Sequence, residues 1–129
     1  VKLLDMETRV IGMIIMAGVI VQIILGELDL LSPSMTDPIT LIHGAIGISG
    51  LGLTLFMTNR ALKISQTPIT KYVMILASLL VLGQVATGGM LLTGMSTRVS
   101  DHAMTAYVIV FLLVGHVIYA INYAKKQKQ

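Results

Sequence analysis

Apolar residues in this chain fall into four long runs, at about 10–26, 38–57, 68–92 and 101–123, parted by short polar stretches. No Asp, Glu, Lys or Arg stands in the middle of any run. At about 1.5 Å of rise per residue, runs of this length come close to crossing ~30 Å of hydrocarbon, the first being a little short. The pattern predicts an all-α integral membrane protein, a single domain over 1–129 built as a bundle of four transmembrane helices. Asp37 followed by Pro38 marks the start of the second helix as N-cap and first helical residue, and Thr67–Pro68 repeats the device before the third. Gly94 offers a C-terminal stop for that third helix.

Composition agrees. Hydrophobic residues make up 55% of the chain, charged residues 12%, and the mean hydropathy is +0.88. Soluble domains carry roughly twice that charged share. With no cysteines, disulfides, cysteine-held iron–sulfur clusters and thioether-attached haem are excluded. A net charge of +3 and a pI near 9.4 do not point to nucleic acid, because the basic residues sit at span ends. Lys2, Arg9, Arg60, Lys63, Lys71, Lys125, Lys126 and Lys128 lie at the two termini and in the middle connector, whereas the other two loops hold Arg98 with Glu27, Asp29, Asp37 and Asp101. The positive-inside rule then puts both termini in the cytoplasm. Tyr72, Tyr119 and Tyr123 fall at the same boundary, and His43 and His102 fall toward the outer leaflet. A signal peptide is rejected for the first run, since no A-x-A-like cleavage site follows and a later run echoes it.

That echo is an internal repeat. Gln22-Ile-Ile-Leu-Gly26 in the first run matches Gln84-Val-Ala-Thr-Gly88 in the third. Each is followed by an outer loop and a histidine near the head of the next run, 21 residues after the Gln in the first half and 18 in the second. A two-helix unit used twice relates His43 and His102 by a pseudo-twofold axis along the membrane normal, so that the imidazoles can face each other across a haem. From His43, steps of three or four residues give Gly47, Gly50, Thr54 and Met57 on one face. A flat macrocycle lying against those glycines would account for both the glycines and the histidine. Close helix packing accounts for the glycines alone.

This repeated Gln-x-x-x-Gly, outer loop and helix-heading histidine resembles one four-helix half of the haem A synthase family. Over nearly its whole length, the chain corresponds to one such bundle. The resemblance implies a paired set of haem ligands at His43 and His102. With a haem b there, Gly47, Gly50 and Ala106 fall beside it on the faces of the two histidines, and Arg98, the basic residue of the outer loops, could pair with a propionate. Two departures bear on activity. Where the family's catalytic half has a glutamate three residues before its first histidine, this chain has Thr40, with Val99 in the second repeat. The cysteine pair found in the outer loop of many members is also missing.

Each candidate has a plainer reading. His43 and His102 could simply bond backbone or water near the outer interface, and Arg98 could be an ordinary loop arginine. Asp101 either orients His102 or caps the fourth helix. Gln22 and Gln84 suit interhelical hydrogen bonds better than ligation. His116 lies on the His102 face through Ala106, Ile109 and Leu113, about 21 Å along the helix. With Met57 it forms a candidate second haem pair, against the plainer reading of a hydrogen bond across a helix interface. The absence of charge inside the spans speaks against a pump or ion-coupled transporter. The reading that follows is a bis-histidine haem unit for electron transfer or haem handling, working with other membrane subunits or as a homodimer. Its rivals are a half-size haem A synthase acting as a dimer and a cofactor-free accessory subunit of a membrane oxidase or monooxygenase.

Overall fold

The computed structural model describes residues 2–28, 31–32, 34–64 and 67–127, with side chains from residue 6 onward. Asp29, Lys128 and the side chain of Lys2, which enter the charge argument, lie outside the described residues. Four helices follow one another: α1 (Lys2–Glu27), α2 (Pro38–Ile64), α3 (Thr70–Leu92) and α4 (Val99–Lys126). Each is long and apolar enough to cross a membrane. Large apolar side chains face outward all round, Phe111, Met13, Ile48 and Leu79 among them. Such a surface suits hydrocarbon rather than water.

The helices pack in a ring, each against its chain neighbours and α1 against α4, and the diagonal pairs α1/α3 and α2/α4 do not come into close backbone contact. Neighbours run antiparallel. Arg60 near the end of α2 pairs with Glu7 near the start of α1 at 3.4 Å. Tyr107 near the start of α4 donates to Glu27 at the end of α1 at 2.6 Å. The fold class expected from the runs is therefore the one found.

Helix boundaries shift in instructive ways. Asp37 caps α2 as expected, its Oδ2 accepting from the Thr40 N–H at 2.8 Å. The same oxygen meets the Thr40 hydroxyl, and these bonds hold the Asp37 carboxyl below its ordinary pKa. α2 then continues past Met57 to Ile64, because its polar residues find partners there. Thr58 donates to the Met74 carbonyl at 2.9 Å and meets Ser78 Oγ at 2.7 Å, while Ala61 is buried. Thr67 and Pro68 form a turn and not a first helical turn. The Thr67 carbonyl accepts from the Thr70 N–H at 3.3 Å, the two hydroxyls bond each other, and α3 begins at Thr70. Gly94 ends α3 as expected, with a φ of 71° and its N–H on the Leu91 carbonyl at 3.3 Å.

The interior divides into two storeys. Toward the end with the termini, Ile15, Met57, Ala61 and Met74 form an apolar cluster, packed by Ile11, Val19, Leu53 and Leu113. Toward the other end the interior is polar and holds His43 and His102, whereas His116 lies at the end with the termini. Small and hydroxylated residues fill many of the tightest positions, Ala77 and Thr54 being 0% and 1% exposed. Lipid gives helices no hydrophobic reason to associate, so close packing and interhelical hydrogen bonds must hold them together.

Two glycines test this description. Gly94→Ala forces a side chain into left-handed backbone and should cost about 1–2 kcal/mol. At Gly52 an added Cβ meets open space, so Gly52→Ala should stabilise by up to about 1 kcal/mol. Reversible unfolding in detergent micelles measures both, and the two shifts should have opposite signs.

Candidate functional site

His43 sits in the second turn of α2 and His102 in the first turn of α4, so they occupy diagonal helices whose backbones stay apart. Their side chains nonetheless meet across the bundle, ring centroids 6.2 Å apart with the planes inclined at 55°. A metal held about 2.0 Å from one nitrogen of each ring would put the centroids about 6 Å apart. The repeat thus brings its two histidines together across one diagonal, at a separation close to that of two imidazoles on opposite sides of one metal.

The other diagonal contributes the glutamines. Gln22 of α1 donates through Nε2 to the His43 carbonyl at 2.8 Å, the interhelical bond expected of it. Gly47 gives that amide its room, because a Cβ there would stand 3.2 Å from Gln22 Nε2. Gln84 lies one turn below Thr87 of α3, and Thr87 Oγ1 is 2.9 Å from His102 Nδ1. The Thr87 hydroxyl also lies 2.8 Å from the Gly83 carbonyl and 3.2 Å from the Gln84 carbonyl. With its single proton on either carbonyl it would accept from the imidazole, leaving His102 protonated on Nδ1 with a lone pair on Nε2. Gly88, next in sequence, lets the ring lie against α3, since a Cβ there would be 3.2 Å from His102 Cε1.

Three buried polar atoms in this storey, His43 Nδ1, Gln22 Oε1 and Gln84 Oε1, meet no hydrogen-bond partner among the described residues. Leaving such a group unmet costs about 1–3 kcal/mol. Among the described residues no group of three or more His, Cys, Asp or Glu forms a metal cage. A facing imidazole pair suits a metal that brings its own equatorial donors, as haem iron does.

The remaining candidates are placed as follows. Gly50 lies one turn below Gly47, where an added Cβ meets open space, and Ala106 is half-buried one turn below His102. Arg98 is 80% exposed and pairs with Asp101 at 3.3 Å. Asp101 thus takes neither of its expected roles. No side-chain cap bond closes the start of α4, and the His102 Nδ1 partner is Thr87. Thr40 is 5% exposed and fully engaged, its hydroxyl meeting Asp37 Oδ2 at 2.7 Å, the Ser32 carbonyl at 2.9 Å and the Ser32 N–H at 3.2 Å. It latches Ser32, in the segment before α2, onto that helix. Met57 belongs to the apolar cluster, and His116 Nε2 meets Thr70 Oγ1 of α3 at 2.9 Å. His116 thus makes a hydrogen bond across a helix interface within this chain.

Thr87 and Gly88 are the site residues that sequence reasoning missed. Both stand inside the repeated Gln-x-x-x-Gly motif, and the signal was a hydroxyl beside the motif glycine in one half with Leu25 in the other. No protein-family model, curated protein or solved structure matches the chain.

The Gln22–His43 contact sets an expectation. Gly47→Ala should displace the Gln22 amide and cost about 1 kcal/mol of helix association, the worth of one interhelical hydrogen bond. Gly50→Ala should be neutral or mildly stabilising. Unfolding free energies of both variants in the same micelle give the comparison.

Proposed function

We propose that this chain is an integral membrane haem protein in which His43 and His102 are the two axial ligands of one b-type haem, serving electron transfer or haem handling beside other membrane subunits or a second copy. The observation that carries the reading is the meeting of the two imidazoles across the α2/α4 diagonal at 6.2 Å between centroids. With its proton on Nδ1, facing Thr87, His102 would present the Nε2 lone pair that ligation needs. Bound haem would supply reversible one-electron iron chemistry, and two axial imidazoles favour electron transfer over oxygen activation. The chain's own part is to hold the two rings in opposition, exclude water with its apolar flanks and keep charged groups out of the bundle interior. Gly50 and Ala106 would supply small surfaces below the two histidines, the Gly47 face being taken by the Gln22 amide, and Arg98 would have to leave Asp101 to meet a propionate.

Orientation follows from charge. Arg9, Arg60, Lys63, Lys71, Lys125 and Lys126 gather at the end with the termini, where Tyr72, Tyr119 and Tyr123 also sit. We place that end in the cytoplasm and the histidine storey toward the outer leaflet.

The enzymatic alternative, a half-size haem A synthase, needs a base beside His43. Thr40 cannot provide an anion near neutral pH, and Asp37, the nearest described carboxylate before it in the chain, is engaged in capping α2. The reading therefore keeps the haem chemically unchanged.

Replacing the ligands one at a time tests it. His43→Ala and His102→Ala should each abolish the low-spin bis-histidine spectrum of the reduced protein, and His116→Ala should preserve it. A wild-type spectrum in both ligand variants would refute the assignment. Co-expression with a haem O source, followed by pigment extraction and chromatography, should give no haem A above host background. Haem A that accumulates and then disappears in a His43→Ala control would establish the synthase instead.

A further inference from the structure

The two histidines are not held alike. His102 is fixed on two sides, with Nδ1 on Thr87 Oγ1 at 2.9 Å and Cε1 against the bare face of Gly88. His43 has its backbone carbonyl gripped by Gln22, but its buried Nδ1 has no partner among the described residues. The difference is written in the repeat: the motif position that holds Thr87 in the second half holds Leu25 in the first, and leucine cannot accept a hydrogen bond. At Gly26, the counterpart of Gly88, an added Cβ would meet nothing within 4 Å.

We propose that Thr87 is a positioning residue that makes His102 the fixed axial ligand, and that His43 is the exchangeable one, so that the site opens on its α2 side. This rests on the ligation reading above. A hydrogen bond to the far nitrogen of a metal-bound imidazole sets its tautomer and orientation and raises its basicity, and losing such a partner typically weakens metal affinity by about 10–100-fold. His102 has that support and His43 lacks it. With a metal bound, His43 would be the ligand that yields its place to a neutral donor such as carbon monoxide, and His102 would be the one that stays. No electron or proton changes hands. A site with one firm and one yielding ligand suits haem that is taken up, passed on or sensed, more than a sealed electron relay.

Two measurements test this on the full chain. The first needs no haem: nitrogen-15 spectra of histidine-labelled protein should show His102 as the Nδ1–H tautomer in wild type and in Thr87→Ser. In Thr87→Val, which keeps the shape and removes the acceptor, that tautomer should lose its dominance. The second uses haem-loaded, dithionite-reduced protein. Wild type should bind carbon monoxide, and His43→Ala should retain haem and give the same carbonyl spectrum. His102→Ala and Thr87→Val should lose haem to apomyoglobin about tenfold faster or more, with Thr87→Ser restoring retention. Equal haem loss from His43→Ala and His102→Ala, or an unchanged His102 tautomer in Thr87→Val, overturns the proposal while leaving bis-histidine ligation standing. Wild-type protein that takes up no haem overturns both.

Discussion

Hydrocarbon offers no hydrogen bonds, so a polar side chain inside a membrane bundle must be satisfied by the protein or by something the protein holds. Most polar groups in this chain meet that demand locally. Thr58 bonds Met74 and Ser78, His116 bonds Thr70, Thr40 closes onto Asp37 and Ser32, and Gln22 reaches the His43 carbonyl. The histidine storey departs from this pattern, because His43 Nδ1 and the oxygens of Gln22 and Gln84 are buried without partners among the described residues. The storey below it, around Met57 and Met74, is an apolar cluster that clamps the helix ends.

Ring packing makes the site possible. Because α2 and α4 stay apart on the diagonal, their facing side chains can meet in the middle without the backbones colliding. Glycine is used where a neighbouring helix sends in a polar group. Gly47 admits the Gln22 amide and Gly88 admits the His102 ring, each with a neighbour 3.2 Å from where a Cβ would stand. These glycines are therefore tied to specific side chains, which a general small-residue packing strip would not require.

Much of this was legible in the residues. The four apolar runs, the Asp37 cap, the Gly94 stop and the duplicated histidine placement all follow from patterns read along the chain, and the structure agrees with each. The end of the second helix was read differently because hydropathy treats Thr58, Asn59 and Arg60 as a polar break, whereas the bonds of Thr58 and Arg60 to neighbouring helices keep α2 going, and the third starts at Thr70 because Thr67 and Pro68 form a turn. The partners of Asp101 and His102 were not legible for a related reason. These helices are apolar on most faces, so periodicity says little about which face turns inward or how far one helix is offset from the next. Those two quantities decide that His102 meets Thr87 and that Asp101 turns to Arg98.

The account depends on a metal shared between His43 and His102, and one spectrum of the wild-type protein addresses it directly. The purified membrane protein should show a dithionite-reduced minus oxidised difference spectrum with the sharp α and β bands of low-spin b-type haem, at one haem per chain by pyridine haemochrome. Protein that is folded and monodisperse, was expressed with haem in ample supply and yet shows no such bands would contradict the account. His43 and His102 would then be polar packing residues of a cofactor-free bundle.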